Sequence, residues 1–424
     1  MGSLYLEPPV ALLQDLKVTI HDSSLIFPSK ETEKRSMFLS NIDQVLNFDV
    51  ETVHFFPCHK DFPPPVVAQR LKNAIADILV PYDFFAGRVK INDKTGRLEI
   101  DCNAAGVGFV VASSEYTLDE VGDLVYPNPA FGQLVQKNKD FLKPGDQPIC
   151  IVQFTSFKCG GSVIGFSMSH TAFDGPSVKA FFDNLAALAA NKPLVVTPCN
   201  DRQLLAARSP PRVTFPHPEF LKLDIIPGKR PGPSGGAHST ARITSFNVVT
   251  AHIWRCKALC SLSNDRERAS TILYAVDLRS RLNPPLPKSY AGNAVVMAYA
   301  TAKCKELEEG TFSSVVEMVT EGARRISDEY ARSVIDWGEL YKGIPYGEVL
   351  VSSWWRLGFE EVEYPWGKPR YSCPVVYHKK DIVLLFPDIH NKNEGGTNDG
   401  VIVLVALPHK EMDKFQTLFH KFLI

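Results

Sequence analysis

Nine of the chain's 31 prolines fall between residues 191 and 240, a stretch that also holds Pro231-Gly232-Pro233-Ser234-Gly235-Gly236. Proline removes a backbone donor and glycine adds backbone freedom, so a run this rich in both reads as a connector rather than as packed helix or strand. A connector of that length inside one compact domain would be unusual. The 424-residue chain is long enough for two domains, each with its own buried core. The expected division is therefore 1–190, a crossover linker at 191–240, and a second domain at 241–424.

Both flanks mix strand and helix periods, which predicts an α/β fold of mixed type. Leu46, Phe48 and Val50 alternate with polar residues as in a half-buried strand, and Val67, Leu71, Ala74, Ile75 and Ile78 follow helical spacing behind Pro65. Residues 149–157 and 163–168 read as two strands joined by the turn Lys158-Cys159-Gly160-Gly161. Val178, Phe181, Phe182, Leu185 and Leu188 then form one face of a helix. Past the connector, a helix is expected from near Ser245, a buried strand over 271–276, and one long helix over 313–334. Buried strands are expected over 382–386 and 401–407, and a closing amphipathic helix through Met412, Phe415, Leu418, Phe419 and Phe422.

Composition excludes several function classes. A formal net charge of −1 leaves no basic field to attract nucleic acid or an anionic membrane. No apolar run is long enough for a membrane span, and Met1 to Val10 lacks the basic flank and apolar core of a secretory signal. The nine cysteines include no CxxC pair, so reduced thiols in a cytoplasmic protein are expected and no metal is implied.

The chemistry-bearing residue is sought at the end of the second strand, where Ser169-His170-Thr171-Ala172-Phe173-Asp174-Gly175-Pro176 leads into the next helix. A side chain at such a strand end is held rigidly while the loop opens outward. A neutral imidazole can take and return a proton near neutrality, which suits acyl transfer from a thioester to an alcohol or amine. His and Asp four residues apart mean little alone, because His409 and Asp413 repeat that spacing on a solvated helix face. No G-x-S-x-G elbow, HExxH, P-loop or GxGxxG is present. On the residues alone, a catalytic His170 and a buried structural histidine both remain open.

Motifs along the whole chain carry a resemblance. The run from His170 to Gly175 resembles the HxxxDG signature of BAHD acyltransferases, and Glu363-Tyr364-Pro365-Trp366-Gly367-Lys368-Pro369 resembles their DFGWGKP segment. Leu39-Ser40-Asn41-Ile42-Asp43, Ala86-Gly87-Arg88, Ala251-His252-Ile253-Trp254-Arg255, and Asp277 to Leu282 with Tyr290-Ala291-Gly292-Asn293 are similar to further family blocks in the same order. The resemblance implies two similar-sized domains like chloramphenicol acetyltransferase around a central solvent channel. It implies acyl-CoA as co-substrate with no bound cofactor, a small alcohol or amine acceptor, and a monomer.

It also implies roles for particular residues. His170 would be the general base, with no acyl-enzyme intermediate. Trp366 would be either an oxyanion donor or a packed core ring. Asp174 would be structural, paired with Arg279 or Arg281, and Gly175 and Gly367 would shape their loops. Glu363 would keep the charge of the second motif, while Pro365 departs from the family's glycine and puts the aim of Trp366 in question. Ser352, Trp354 and Trp355 are candidates for the acceptor side, and Asn293 and Lys368 for the CoA side. The expected reaction transfers a hydroxycinnamoyl, benzoyl or fatty acyl group. The alternative is a catalytically silent relative acting as an accessory protein, for example to a fatty-acid elongase. A carrier-dependent condensing domain fits less well, since Ser169 stands where that class doubles the histidine.

Overall fold

Strand and helix follow one another in chain order as the periodicities predict. The computed structural model describes residues 12–140, 142–222, 243–263, 265–375, 381–388 and 400–422. In the first half lie β1 (Val18–Ile26), β2 (Arg35–Phe38), α1 (Asn41–Gln44), β3 (Asp49–Phe56), α2 (Pro64–Ile78), β4 (Arg88–Ile91), β5 (Leu98–Cys102), β6 (Val107–Ser114), β7 (Cys150–Ser156), β8 (Ser162–Ser169) and α3 (Gly175–Ala189). Next come β9 (Phe220–Lys222), α4 (Ser245–Cys260), β10 (Ala269–Asp277), β11 (Val295–Lys303), α5 (Cys304–Glu309), α6 (Phe312–Arg325) and α7 (Asp328–Leu340). The chain closes with β12 (Gly343–Pro345), β13 (Val349–Ser353), β14 (Tyr371–Pro374), β15 (Ile382–Pro387), β16 (Val401–Leu404) and α8 (His409–Lys421).

These elements form two compact units whose boundaries correct the sequence division. The first unit is Met1–Leu204 with Pro287–Asn293 and Leu357–Tyr377; the second is Leu205–Leu286 with Ala294–Arg356 and His378–Ile424. Two pieces expected in the C-terminal domain, one of them carrying Trp366, therefore belong to the first unit. The 191–240 stretch is not a free connector where it is described. Its first part is pinned in the first unit, with Asn184 bonded to Val196 through both its amide groups. Beyond Leu204 it is pinned in the second, where Arg208 Nε donates to Asp336 at 2.6 Å. Residues 223–242 lie outside the described set, as do 1–11, where the N-terminal reading fell.

The first unit is built on a six-stranded sheet in the order β1-β6-β7-β8-β3-β14, with β6 and β7 parallel and the other pairs antiparallel. All eight residues of β8 are buried, so both faces of the sheet are covered at that point. On one face Phe182 of α3 packs on Phe166 of β8 and on His54 of β3, at 4.8 and 4.9 Å between ring centres. His54 is pushed down to about 3 by burial and stands neutral against the Ser372 hydroxyl. On the other face the backbone of Leu134 and the side chain of Val135 lie directly over Gly165, where any Cβ would collide with the Leu134 carbonyl oxygen. A smaller sheet, β2-β5-β4, leads on from the Ala86-Gly87-Arg88 block. The buried Arg88 guanidinium there donates to the carbonyls of Gly87, Gly106, Ala105 and Asp146.

The second unit has a five-stranded sheet in the order β11-β10-β13-β15-β16 and a two-stranded ribbon of β9 and β12. Helix α4 is buried through Trp254, whose indole N–H donates to Ser270 at 3.0 Å. The single helix expected over 313–334 is two. Ser327 caps the second by accepting from Tyr330 N, while Arg281 Nη1 donates to the carbonyls of Ala323 and Ile326 at the end of the first. Strand β16 is a half-buried edge ending at Leu404, not a strand covered on both faces through 407. Phe415 of α8 packs on Cys256 and Cys260 of α4.

Replacing Gly165 with Ala is expected to destabilise the protein by about 1–3 kcal/mol, because the added methyl meets fixed backbone rather than a movable side chain. Thermal unfolding measures it, and an unchanged midpoint would mean that residues 134–135 do not lie on the sheet as described.

Candidate active site

His170 stands one residue past the end of β8, held from below by its own backbone. Its N–H donates to the Phe48 carbonyl at 2.8 Å, continuing the β3–β8 ladder by one step. The Phe48 ring, 44% exposed, tilts against the imidazole at 5.1 Å. The next residues, Thr171, Ala172 and Phe173, are buried, so the loop is anchored on one side while the ring of His170 stays partly open.

Asp174 begins α3 as its N-cap, accepting from Ser177 N at 3.1 Å, and is 2% exposed. Such a cap contributes about 1 kcal/mol. Ser177 in turn stitches residues 287–293 onto the helix start, bonding the carbonyls of Tyr290 and Gly292 and accepting from Gly292 N. Gly175 shows no unusual φ; what requires glycine there is space, since a Cβ would lie 2.8 Å from Leu357.

That stitching delivers Asn293 to His170. The Asn293 Oδ1 lies 3.2 Å from His170 Nδ1, and its Nδ2 is 2.8 Å from the His170 carbonyl. The same Nδ2 donates at 2.8 Å to Oδ1 of Asp43, which is fully buried. Asp43 also accepts from Ser40 N and Ser40 Oγ and pairs with the buried Arg202 at 3.2 Å. Asn293 is therefore a partner of the imidazole. Burial holds the His170 imidazole below its ordinary value, opposed by its own backbone, Asp174, Asn293 and Asp43. A lowered imidazole is neutral at pH 7, the form a base requires.

The second motif is folded as a tight turn. Gly367 N donates to the Tyr364 carbonyl at 2.9 Å, so Pro365 occupies the second turn position, where its fixed φ is suited. Gly367 closes the turn at φ +108°, a conformation that favours glycine. Tyr364 and Trp366 stack at 4.9 Å, and both rings pack edge-on to Phe56. Phe56 ends β3, whereas Phe48 and His170 lie just before its beginning. The eight residues of β3 separate the two places by roughly 26 Å. The Trp366 indole, 2% exposed, therefore packs at the Phe56 end of the strand, and its buried N–H has no hydrogen-bond partner among the described residues. Glu363 is exposed.

Lys368 is exposed beside the turn. In the second unit Arg279 bonds Asp277, and Arg281 caps α6 as described. Ser352 lies opposite Leu384 in β13, and Trp354 is half-buried near Phe386. Trp355 is buried beneath the Arg356 guanidinium, a packing role. Sequence reasoning quoted Asp43 without giving it a role and passed over Arg202. Ser40 and Asp43 have capping-box spacing, which could have placed the carboxylate; no local pattern marks Arg202.

The second unit also contains triad distances: Ser333 Oγ lies 2.7 Å from His217 Nε2, and His217 Nδ1 lies 3.0 Å from Glu219. All three are buried, and Ser333 also accepts from the Thr214 and Phe215 N–H groups. This cluster fastens the crossing segment to α7. Among the described residues no group of three or more His, Cys, Asp or Glu is placed to hold a metal, and no helix is long and apolar enough to cross a membrane.

The family model described as "Transferase family" matches residues 16–229 and 234–421. The chain belongs to the BAHD family of acyl-CoA-dependent acyltransferases. This BAHD chain is 57% identical to "Acyltransferase GLAUCE" of Arabidopsis thaliana, with 99% of each chain covered. It is 32% identical to "Omega-hydroxypalmitate O-feruloyl transferase" of the same plant, over 95% of this chain and 93% of that one. Its fold is similar to the crystal structure of vinorine synthase, with a TM-score of 0.72, 22% identity, and coverage of 94% and 96%.

Two outcomes follow for this BAHD site. The acid limb of kcat/KM is expected below the ordinary imidazole value of about 6.5, since the lowered His170 keeps its free base as pH falls until its own pKa is reached. A pH–rate profile with the limb at or above that value contradicts it. Trp366→Phe, measured on folded protein, should leave kcat within about threefold. A loss on the order of a hundredfold, as removal of an oxyanion donor produces, would refute the separation along β3.

Proposed function

We propose that this chain transfers a hydroxycinnamoyl, benzoyl or fatty acyl group from its CoA thioester to an alcohol or amine, with His170 as general base. Hydroxycinnamoyl transfer to an aliphatic hydroxyl is the reading favoured, supported by the full-length similarity to an O-feruloyl transferase acting on a hydroxylated fatty acid. The observation that carries the mechanism is a partly open imidazole at a strand end, kept neutral by burial and held through Nδ1 by Asn293.

In this reading Nε2 of His170 takes the proton of the acceptor O–H or N–H as that atom attacks the thioester carbonyl. The tetrahedral intermediate collapses, the C–S bond breaks, and the thiolate recovers the proton from the imidazolium. No bond to the protein forms, which fits the lack of a nucleophile elbow. Phe48, exposed against the imidazole, supplies an apolar wall beside the reacting atoms. Asp174 serves as the helix cap that fixes the loop, and the Tyr364–Gly367 turn serves the fold.

The test is incubation of purified protein with feruloyl-, benzoyl- and palmitoyl-CoA against long-chain alcohols, ω-hydroxy acids and diamines, reading free thiol and product mass. Acceptor-dependent CoA release that falls by about 10²–10⁴ in His170→Ala is expected. Binding of acyl-CoA without turnover on any acceptor would favour a catalytically silent accessory role instead.

A further inference from the structure

We infer that Asp43 is a positioning residue for His170, acting through the side-chain amide of Asn293 to hold the imidazole proton on Nδ1 and to stabilise the imidazolium as it forms. The inference rests on the proposed base role of His170 and adds the group behind it.

The argument begins with the orientation of the amide. One end of Asn293 faces three oxygens that can only accept: Asp43 Oδ1 at 2.8 Å, the His170 carbonyl at 2.8 Å and the Thr171 carbonyl at 3.3 Å. That end must be the NH₂ group, because a carbonyl there would face a carboxylate and two backbone carbonyls. The other end is then Oδ1, an acceptor only, 3.2 Å from His170 Nδ1. A neutral imidazole next to an obligate acceptor keeps its proton on that nitrogen, which leaves the Nε2 lone pair bare for the substrate.

Of the three oxygens only Asp43 is charged, and a charge-assisted bond is the strongest of the set. Its negative charge polarises the amide, so Oδ1 becomes a better partner for the positive ring that forms during proton transfer. Arg202 holds Asp43 at 3.2 Å from a position where it also donates to the Ala172 carbonyl and lies over the Phe84 ring. Gly292 leaves room for that guanidinium, since any Cβ there would collide with Arg202. The carboxylate is thus fixed from the Arg202 and Ser40 sides, and its remaining contact is the amide. The arrangement differs from a carboxylate placed directly on the ring: the intervening amide transmits orientation and polarity without an ion pair at the imidazole.

The test uses the full chain and two readouts. In the unaltered protein carrying ¹⁵N-histidine, long-range ¹H–¹⁵N spectra at neutral pH should assign the Nδ1–H tautomer to the resonance that disappears in His170→Ala; an Nε2–H tautomer overturns the inference. Asp43→Asn keeps the shape and removes the charge. Its kcat should fall by roughly tenfold or more, part of the 10²–10⁴ that base catalysis contributes, with KM for acyl-CoA within twofold. The acid limb of kcat/KM should move to lower pH. A variant with unchanged kcat and acid limb makes Asp43 a helix cap only. Should Asp43→Asn fail to fold, Asp43→Asn with Arg202→Met removes both buried charges together, and the same kinetic outcomes decide. An Nδ1–H ring in a protein that transfers no acyl group to any acceptor would sink the base assignment but not the hydrogen-bond relay.

Discussion

The fully buried Asp43 carboxylate is the point on which the site's segments converge. Its partners come from residue 40, from Arg202 and from Asn293, and through Asn293 it reaches the His170 loop. Burying a charge is costly, and a buried ion pair often gains little over an apolar replacement. What offsets that cost on the carboxylate side is that both oxygens are bonded: Ser40 N and Oγ bond one, and Arg202 and Asn293 bond the other. Removing Arg202 would take away the paired cation and leave a buried charge held by neutral donors alone. The arrangement is therefore expected to be rigid, which a base held to sub-ångström tolerance requires.

Much of the site's local architecture was legible because it is written in local hydrogen bonding. The β7–β8 hairpin, the His170 loop and α3 follow from a period of two changing to a period of 3.6 across one short turn. Assignment of segments to units was not legible. Residues 287–293 and 357–377 follow elements of the second unit in sequence, yet they pack in the first. Nothing in the pattern Tyr371 to Pro374 tells a reader that its partner is β3, some three hundred residues earlier. The break between α6 and α7 was hidden for a related reason: hydrophobic spacing continues through Ile326, and only the Ser327 cap and a guanidinium from residue 281 end the first helix. Asp43 lies within the Leu39–Asp43 block, but no spacing rule connects it to Asn293.

The second motif shows how a departure from a family pattern can be neutral. Pro365 looked disruptive because proline fixes φ where glycine is free. In the folded turn that position wants a φ near proline's own, and the glycine that matters is Gly367, at φ +108°. What the segment shows here is packing, two stacked rings set against the end of β3. Glu363 can then face solvent without consequence for the site. A motif's recurrence marks it as necessary, but its place on the strand decides for what.

Two histidine clusters make the same point with distances. Ser333, His217 and Glu219 have better triad separations than anything around His170, yet the hydroxyl accepts two backbone N–H groups and all three side chains are closed off. The lone pairs of the Ser333 hydroxyl are committed to backbone N–H groups, so the cluster is a clasp. At His170 the bonding is arranged the other way. The backbone N–H, the Nδ1 side and the whole following loop are committed, and the ring's other edge is left beside an exposed Phe48. Burial then lowers the imidazole enough to keep it neutral, while Asp43, one amide away, favours the charged form without pairing with it. A base needs both tendencies: reluctance to hold a proton at rest, and a partner ready when the proton arrives. In the proposed reading the first comes from desolvation and the second from a carboxylate kept at one remove.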